Sequence, residues 1–178
     1  MFADLRGFTE LSRRVPPEQV VALLGDYYAI VERECEREQG TITQFLGDGV
    51  VAVFGGPLSP AVDHAVRALR AAVAVQRALR VRLRPDGQPI EAGIGLCTGY
   101  MIAGNVRGRE RIIYTIVGDA VNQAARLQVK TRELGAPILL TESTRAALPD
   151  PPPVPLRPCG KVALRGILEE IEVYAVDV

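Results

Sequence analysis

The sequence predicts a domain of the mixed α and β class, and three observations predict it. An Asp-Gly turn lies between two apolar, β-branched runs in Thr41 to Phe54, TITQFLGDGVVAVF, which is the pattern of a hairpin. Long stretches with apolar residues every three or four positions flank it, at about 16–39 and 60–84. Short β-rich runs then alternate with helical ones to the C-terminus. At 178 residues the chain is expected to form one domain, residues 1–178, with enough length to bury a core without staples.

Composition narrows the function classes. With 21 basic and 21 acidic side chains the chain is neutral, so nothing favours nucleic acid or acidic lipid as partner. Cys35, Cys97 and Cys159 form no CxxC pair and leave one over in any disulfide scheme, so reduced thiols and a cytoplasmic setting are expected. No run approaches the ~20 apolar residues of a membrane span, and no signal peptide pattern opens the chain. A cytosolic domain, or the cytosolic part of a larger protein, is the expectation. His64 is the only histidine, which excludes a histidine-based triad or zinc centre.

In order, Phe2 and Ala3 read as the end of a short strand and Asp4 as the residue at its exit. Gly7 to Arg13 reads as a short helix entered through a glycine turn, whose free N–H groups favour phosphate; Asp4 reads equally as a helix cap. Pro16-Pro17 opens a helix to about Gln39, with Val20, Leu24, Tyr27, Val31 and Cys35 as its apolar stripe and Gly40 as its C-terminal cap. Glu32 to Glu38 reads as a solvated charged face.

The hairpin follows, with Asp48 at a turn where Asp and Gly both tolerate positive φ. About Pro60 to Arg84 is a second helix, with Val62, Val66, Leu69 and Val73 buried and four arginines outward. Ile90 to Val106 reads as a strand pair broken at Thr98-Gly99-Tyr100, rich in glycines that mark close approach of a ligand or backbone. Arg107 to Arg111 is turn-like, and Ile112 to Val117 is a strand.

From Gly118 an Ala-rich helix runs to Leu134, with Asp119 as its expected cap. Asn122 and Arg126, four apart, share one face and suit a phosphate and sugar ligand, since the guanidinium fork matches phosphate oxygens. An exposed helix with ordinary surface polars fits the same spacing. A strand at Ile138 to Leu140, a helix at Glu142 to Leu148, a proline-rich connector and a hairpin around Arg165-Gly166 complete the chain.

Three stretches in register, FADLRGFT, FLGDGVVAVFG and YTIVGDAVNQAARL, resemble the catalytic domain of class III adenylyl and guanylyl cyclases, bacterial members above all. The resemblance spans essentially the whole chain, less the first half of the opening strand. It implies an α+β domain with a ferredoxin-like βαββαβ core and a C-terminal α/β extension. It also implies a homodimer whose sites draw residues from both subunits.

The reaction so implied brings a ribose 3′-oxygen onto the α-phosphate of the same nucleotide and expels pyrophosphate. Positioning and charge stabilisation carry such a step. By the resemblance, two Mg2+ or Mn2+ ions per site sit at Asp4, Leu5 and Asp48, and Gly7, Phe8 and Thr9 cradle the triphosphate. Asn122 matches the ribose-orienting asparagine, Arg126 the arginine that offsets charge on the α-phosphate, and Arg165 a basic residue at the terminal phosphates. Magnesium commonly takes only one or two carboxylates, so two aspartates suffice.

Base choice departs from the family pattern. Adenylyl cyclases typically carry lysine, and guanylyl cyclases glutamate, where this chain has Gln44. The second base-reading position matches Thr115, as in bacterial adenylyl cyclases. A carboxamide offers both donor and acceptor, so Gln44 suits adenine or, turned over, guanine. ATP is the expected substrate, with a guanylyl or mixed-specificity cyclase and a non-catalytic nucleotide-binding module as the alternatives.

Overall fold

The computed structural model describes residues 1–107, 112–167 and 169–178. The turn expected at 107–111 therefore lies, from 108 on, outside the described residues. Elements follow in the order β1 (Phe2–Leu5), α1 (Phe8–Leu11), α2 (Pro17–Arg37), β2 (Thr41–Leu46), β3 (Gly49–Val53) and α3 (His64–Arg80). Next come β4 (Ala92–Leu96), β5 (Ile102–Arg107), β6 (Ile112–Val117), α4 (Asp119–Glu133), β7 (Ile138–Thr141), α5 (Glu142–Ala146), β8 (Arg157–Val162) and β9 (Ile171–Val176).

One sheet has the order β2-β3-β1-β4-β7-β9-β8, and β5-β6 form a separate ribbon. The run β1-α2-β2-β3-α3-β4 is the ferredoxin-like βαββαβ unit, with β1 antiparallel to both β3 and β4. The expected pair across Thr98-Gly99-Tyr100 is not one: β4 stays in the main sheet, while β5 leaves it to pair with β6.

Strand alternation sorts the two faces of the sheet. Ala3 and Leu5, Val50 and Ala52, and Ile94 and Leu96 pack into one core with α2 and α3. In α2 the buried set is Leu23, Tyr27, Ile30, Val31, Glu34 and Cys35, so the stripe is turned slightly from the expected one. Glu34 belongs to it rather than to a solvated face, held there by Arg33 at 2.8 Å and Arg37 at 2.9 Å. Cys35 packs in the same core, and burial pushes its thiol up to about 12. In α3 the helix starts later than expected, and Val62 is fully exposed ahead of it. The left-handed residue after α2 is Gln39, at φ 57°, rather than Gly40. In the β2–β3 turn the positive φ falls on Gly47, at 64°, and not on the Asp-Gly pair.

The other face carries α4. Two glycines of β4 make this possible: a Cβ at Gly95 would stand 2.2 Å from the Ala124 carbonyl oxygen, and one at Gly93 would stand 2.3 Å from Thr131 Oγ1. Of the glycines marked by sequence, Gly95 thus receives a backbone, that of the helix bearing Asn122 and Arg126, and Gly93 chiefly the Thr131 and Gln128 side chains, whereas Gly104 has nothing within 4 Å. Gly95→Ala forces α4 off the sheet and is expected to cost about 1–3 kcal/mol. A thermal melt checks this, with a drop of roughly 3–10 °C expected; an unchanged midpoint contradicts so tight an approach.

Candidate active site

Asp4 is the third residue of β1, and in the sheet it stands opposite Gly49 of β3 and Gly93 of β4. Its neighbours Ala3 and Leu5 point into the α2–α3 core, so alternation turns Asp4 to the α4 face. Asp48 enters from the β2–β3 turn, whose carbonyl accepts the Leu5 N–H at 3.3 Å. The two carboxylates, 44 positions apart in sequence, thus share one strand end. Burial first, and then the charge of Asp48, push the Asp4 carboxyl up to about 6.

Both acids line a cavity of about 640 Å3 together with Leu5 and the Gly7-Phe8-Thr9 turn. Gly7 has φ 70°, which an L side chain adopts only with strain, so glycine is what lets β1 turn into α1. The helix is shorter than expected, Phe8–Leu11. It offers the cavity N–H groups rather than a sizeable macrodipole.

Two tyrosines of α2 stand near this corner: Tyr27 belongs to the apolar stripe read from the sequence, and nothing in the pattern singles out Tyr28. Tyr28 donates its hydroxyl to the Gly47 carbonyl and stacks on Phe45 with ring centroids 4.5 Å apart, which ties α2 to the turn bearing Asp48. Tyr27 is fully buried, and among the described residues its hydroxyl has no hydrogen-bond partner. Burial, then the charges of Asp4 and Asp48, raise its pKa.

The remaining candidates gather elsewhere. Gln44 Nε2 donates to Thr115 Oγ1 at 2.7 Å, across the gap between β2 and the β5–β6 ribbon. A β-bulge between Ile42 and Gln44 shifts the β2 register at this point. Beside the pair lies an apolar cavity of about 400 Å3 lined by Val51, the sheet partner of Gln44, and by Ile116 and Val121. Asn122 is exposed on α4, which starts at Asp119 with Gly118 as the residue before it, so Asp119 is not the cap. Arg126 reaches the last hairpin: a Cβ at Gly166 would stand 3.4 Å from its Nη2, which brings the guanidinium beside the turn carrying Arg165.

Asn122, Arg126 and Arg165 do not line the cavity of Asp4 and Asp48. The candidates therefore fall at separate places on one chain: the acids and the glycine turn around one cavity, the Gln44–Thr115 pair between β2 and the ribbon, and Arg126 beside the last hairpin. Among the described residues no group of three or more His, Cys, Asp or Glu side chains gathers as for an all-protein metal cage. No helix there is long and apolar enough to cross a membrane.

The raised pKa of Asp4 has a consequence for stability. A folded-state value above the ordinary 3.8 stabilises the fold below that pH, and the contribution is lost as pH rises through about 6. Metal-free protein at pH 8 bears the cost. Asp4→Asn is expected to raise stability there by about 1–2 kcal/mol, allowing for screening at this half-exposed group, and by little at about pH 3, below the ordinary value. Chemical denaturation at the two pH values measures it, and an equal gain at both contradicts the assignment.

Comparison with known proteins places this geometry. The family model for the adenylate and guanylate cyclase catalytic domain matches residues 1–177. Adenylate cyclase 1 of Rhizobium meliloti is 34% identical over 180 residues, covering 99% of this chain and 27% of that protein. The crystal structure of the adenylyl cyclase CyaB from P. aeruginosa superposes at a TM-score of 0.88 with 32% identity, covering 99% of this chain and 92% of that one. The guanylyl cyclase Cya2 superposes at 0.86, also with 32% identity, covering 98% and 88%. The chain spans about a quarter of the length of the curated relatives it matches, 26% and 27% in two of them.

Proposed function

The chain belongs to the adenylate and guanylate cyclase catalytic-domain family, and on that premise we propose that it converts ATP to 3′,5′-cyclic AMP and pyrophosphate as a homodimer with shared sites. The observation that carries the reading is the separation of the candidate residues, with Asp4 and Asp48 around one cavity and Asn122 and Arg126 off it. A second copy, packed so that its α4 faces the acids, would complete one site on each side of a twofold axis.

Asp4 and Asp48, with the Leu5 carbonyl, supply hard oxygen donors that fit Mg2+ or Mn2+, two per site, in a cavity roomy enough for substrate oxygens and water. The proximity of two carboxylates, felt in the raised Asp4 pKa, is what such cations relieve. When bound they would acidify the ribose 3′-hydroxyl and neutralise phosphate charge. The backbone N–H groups of Gly7, Phe8 and Thr9 donate to phosphate oxygens and hold the chain of phosphates still. Asn122 orients the ribose so that its 3′-oxygen meets the α-phosphate in line with the leaving pyrophosphate. Arg126 donates to the α-phosphate oxygens as negative charge grows there, and Arg165 meets the terminal phosphates.

Gln44 and Thr115 read the base. With one Nε2 hydrogen on Thr115, the other hydrogen and Oε1 remain as donor and acceptor, matching N1 and the 6-amino group of adenine. The same pair, reassigned, matches O6 and N1–H of guanine. ATP is preferred from Thr115, and GTP turnover at a measurable fraction of the ATP rate is the expected result. Incubation of the purified chain with each nucleotide and Mn2+, followed by chromatographic identification of product, tests this. Cyclic AMP in excess supports the reading, GTP turnover outrunning ATP overturns the base assignment, and nucleotide binding without product overturns catalysis.

A further inference from the structure

Arg84 lies between α3 and β4, outside both, yet its guanidinium reaches back to the turn that follows β1. One edge of the guanidinium is fixed: Nε donates to Asp86 Oδ1 at 3.1 Å and Nη2 to Oδ2 at 2.8 Å. The loop is itself folded to present that carboxylate, since Gly87 N–H donates to the Arg84 carbonyl at 2.9 Å and Gln88 N–H to Asp86 Oδ1 at 3.2 Å. The third nitrogen, Nη1, points away from Asp86. It lies 3.5 Å from the Arg6 carbonyl oxygen, at the edge of hydrogen-bond range, and 3.2 Å from where a Cβ on Gly7 would sit. The charged tip is therefore packed against the glycine turn itself, and Arg84 lines the same cavity as Asp4, Asp48 and Gly7 to Thr9.

A loop staple alone would need only the fork onto Asp86. What it does not need is a guanidinium turned so that its third nitrogen meets the Arg6–Gly7 turn, on a side chain that lines a cavity with two aspartates. Arg6, the neighbouring cation, is committed differently: its Nη2 donates to the carbonyls of Thr131 and Ala136 at 3.3 and 3.0 Å, which fastens β1 to the end of α4. Arg84 has no such backbone tie at short distance. Its side chain is 20% exposed, enough to meet a ligand and too little to swing free.

We propose that Arg84 is a triphosphate-binding residue, presenting Nη1 to the β- and γ-phosphates of a nucleotide seated over the Gly7 turn, with Asp86 holding the guanidinium in position. This rests on the cyclase reading and adds a cation from the same chain as the metal acids. Two divalent ions balance a fully ionised nucleoside triphosphate but not the two aspartates that would hold them, and a preset arginine fork meets that remaining negative charge without a large ordering cost.

Isothermal titration of the 178-residue chain with α,β-methylene-ATP and Mn2+, and separately with inorganic tripolyphosphate and Mg2+, tests the proposal. Arg84→Gln is expected to weaken both probes about tenfold, as loss of a charge-assisted contact does, and Arg84→Lys to recover part of it. Asp86→Asn, which frees the guanidinium without removing it, is expected to give a smaller loss, with melting temperatures of all variants recorded alongside. Equal tripolyphosphate affinity in wild type and Arg84→Gln overturns the proposal. So does a tenfold loss that appears only with a lowered melting temperature and is absent at a temperature where both proteins are fully folded. If the wild type binds neither probe, or binds them equally well after Asp48→Ala, the cyclase reading itself falls, a result distinct from the failure of Arg84.

Discussion

Asp48→Ala is expected to abolish cyclic nucleotide formation, lowering kcat by at least about a thousandfold. The reason is local and chemical. Asp48 is one of two carboxylates on the cavity beside the Gly7 turn, and a single remaining aspartate leaves the cations with too few protein oxygens to be fixed against the triphosphate. The fold should not suffer. Asp48 sits in a turn whose positive φ belongs to Gly47 and whose carbonyl anchor is held by Tyr28, neither of which needs the Asp48 side chain. Removing its charge also removes one of the two causes that push Asp4 up to about 6. Loss of activity with an unchanged or slightly raised melting temperature is the expected pair of results. Retention of activity within tenfold of wild type contradicts the metal assignment.

Arg126→Ala is the second large effect, also about a thousandfold in kcat, with KM for the nucleotide changed far less. The residue is half-buried on α4, its guanidinium held beside Gly166 on the last hairpin. That placement pre-aims a planar guanidinium fork, which is what a transition state with growing negative charge on phosphate oxygens requires. Arg126→Lys should restore little, because an ammonium lacks the planar fork. Steady-state kinetics decide it: a rise in KM with kcat preserved would make Arg126 a ground-state binding group only.

Much of the frame was legible in the sequence because it rests on periodicity. The β-rich run 41–54, the long stripes of α2 and α3 and the Ala-rich start of α4 each form the element their pattern announces, with Tyr27, Val31 and Cys35 of α2 and Leu69 and Val73 of α3 buried as spaced, while Phe45 and Leu46 stay exposed. The errors fall where tertiary packing overrides pattern. Val62 looks like helix stripe but precedes the helix, and Glu34 looks like surface but is drawn inward by two arginines. Partners of β5 were illegible because a strand carries no label for which sheet it joins, and among the described residues Ile102 to Arg107 pairs only with β6. At the site, Asp4 and Asp48 were visible as residues at strand exits. Arg84 and Tyr28 were not, since what matters in them is where a guanidinium corner or a hydroxyl arrives after folding, and no spacing rule encodes that.

The central claim is that each site takes its acids from one subunit and Arg126 from the other, and one mixing experiment bears on it most directly. Asp48→Ala and Arg126→Ala proteins, each inactive alone, are combined in equal amounts and allowed to exchange subunits. Half the dimers then carry one of each, with one intact site in two, so about a quarter of wild-type activity is expected to return. Failure to recover activity, with mixed dimers demonstrated by differential tagging, would contradict the shared site.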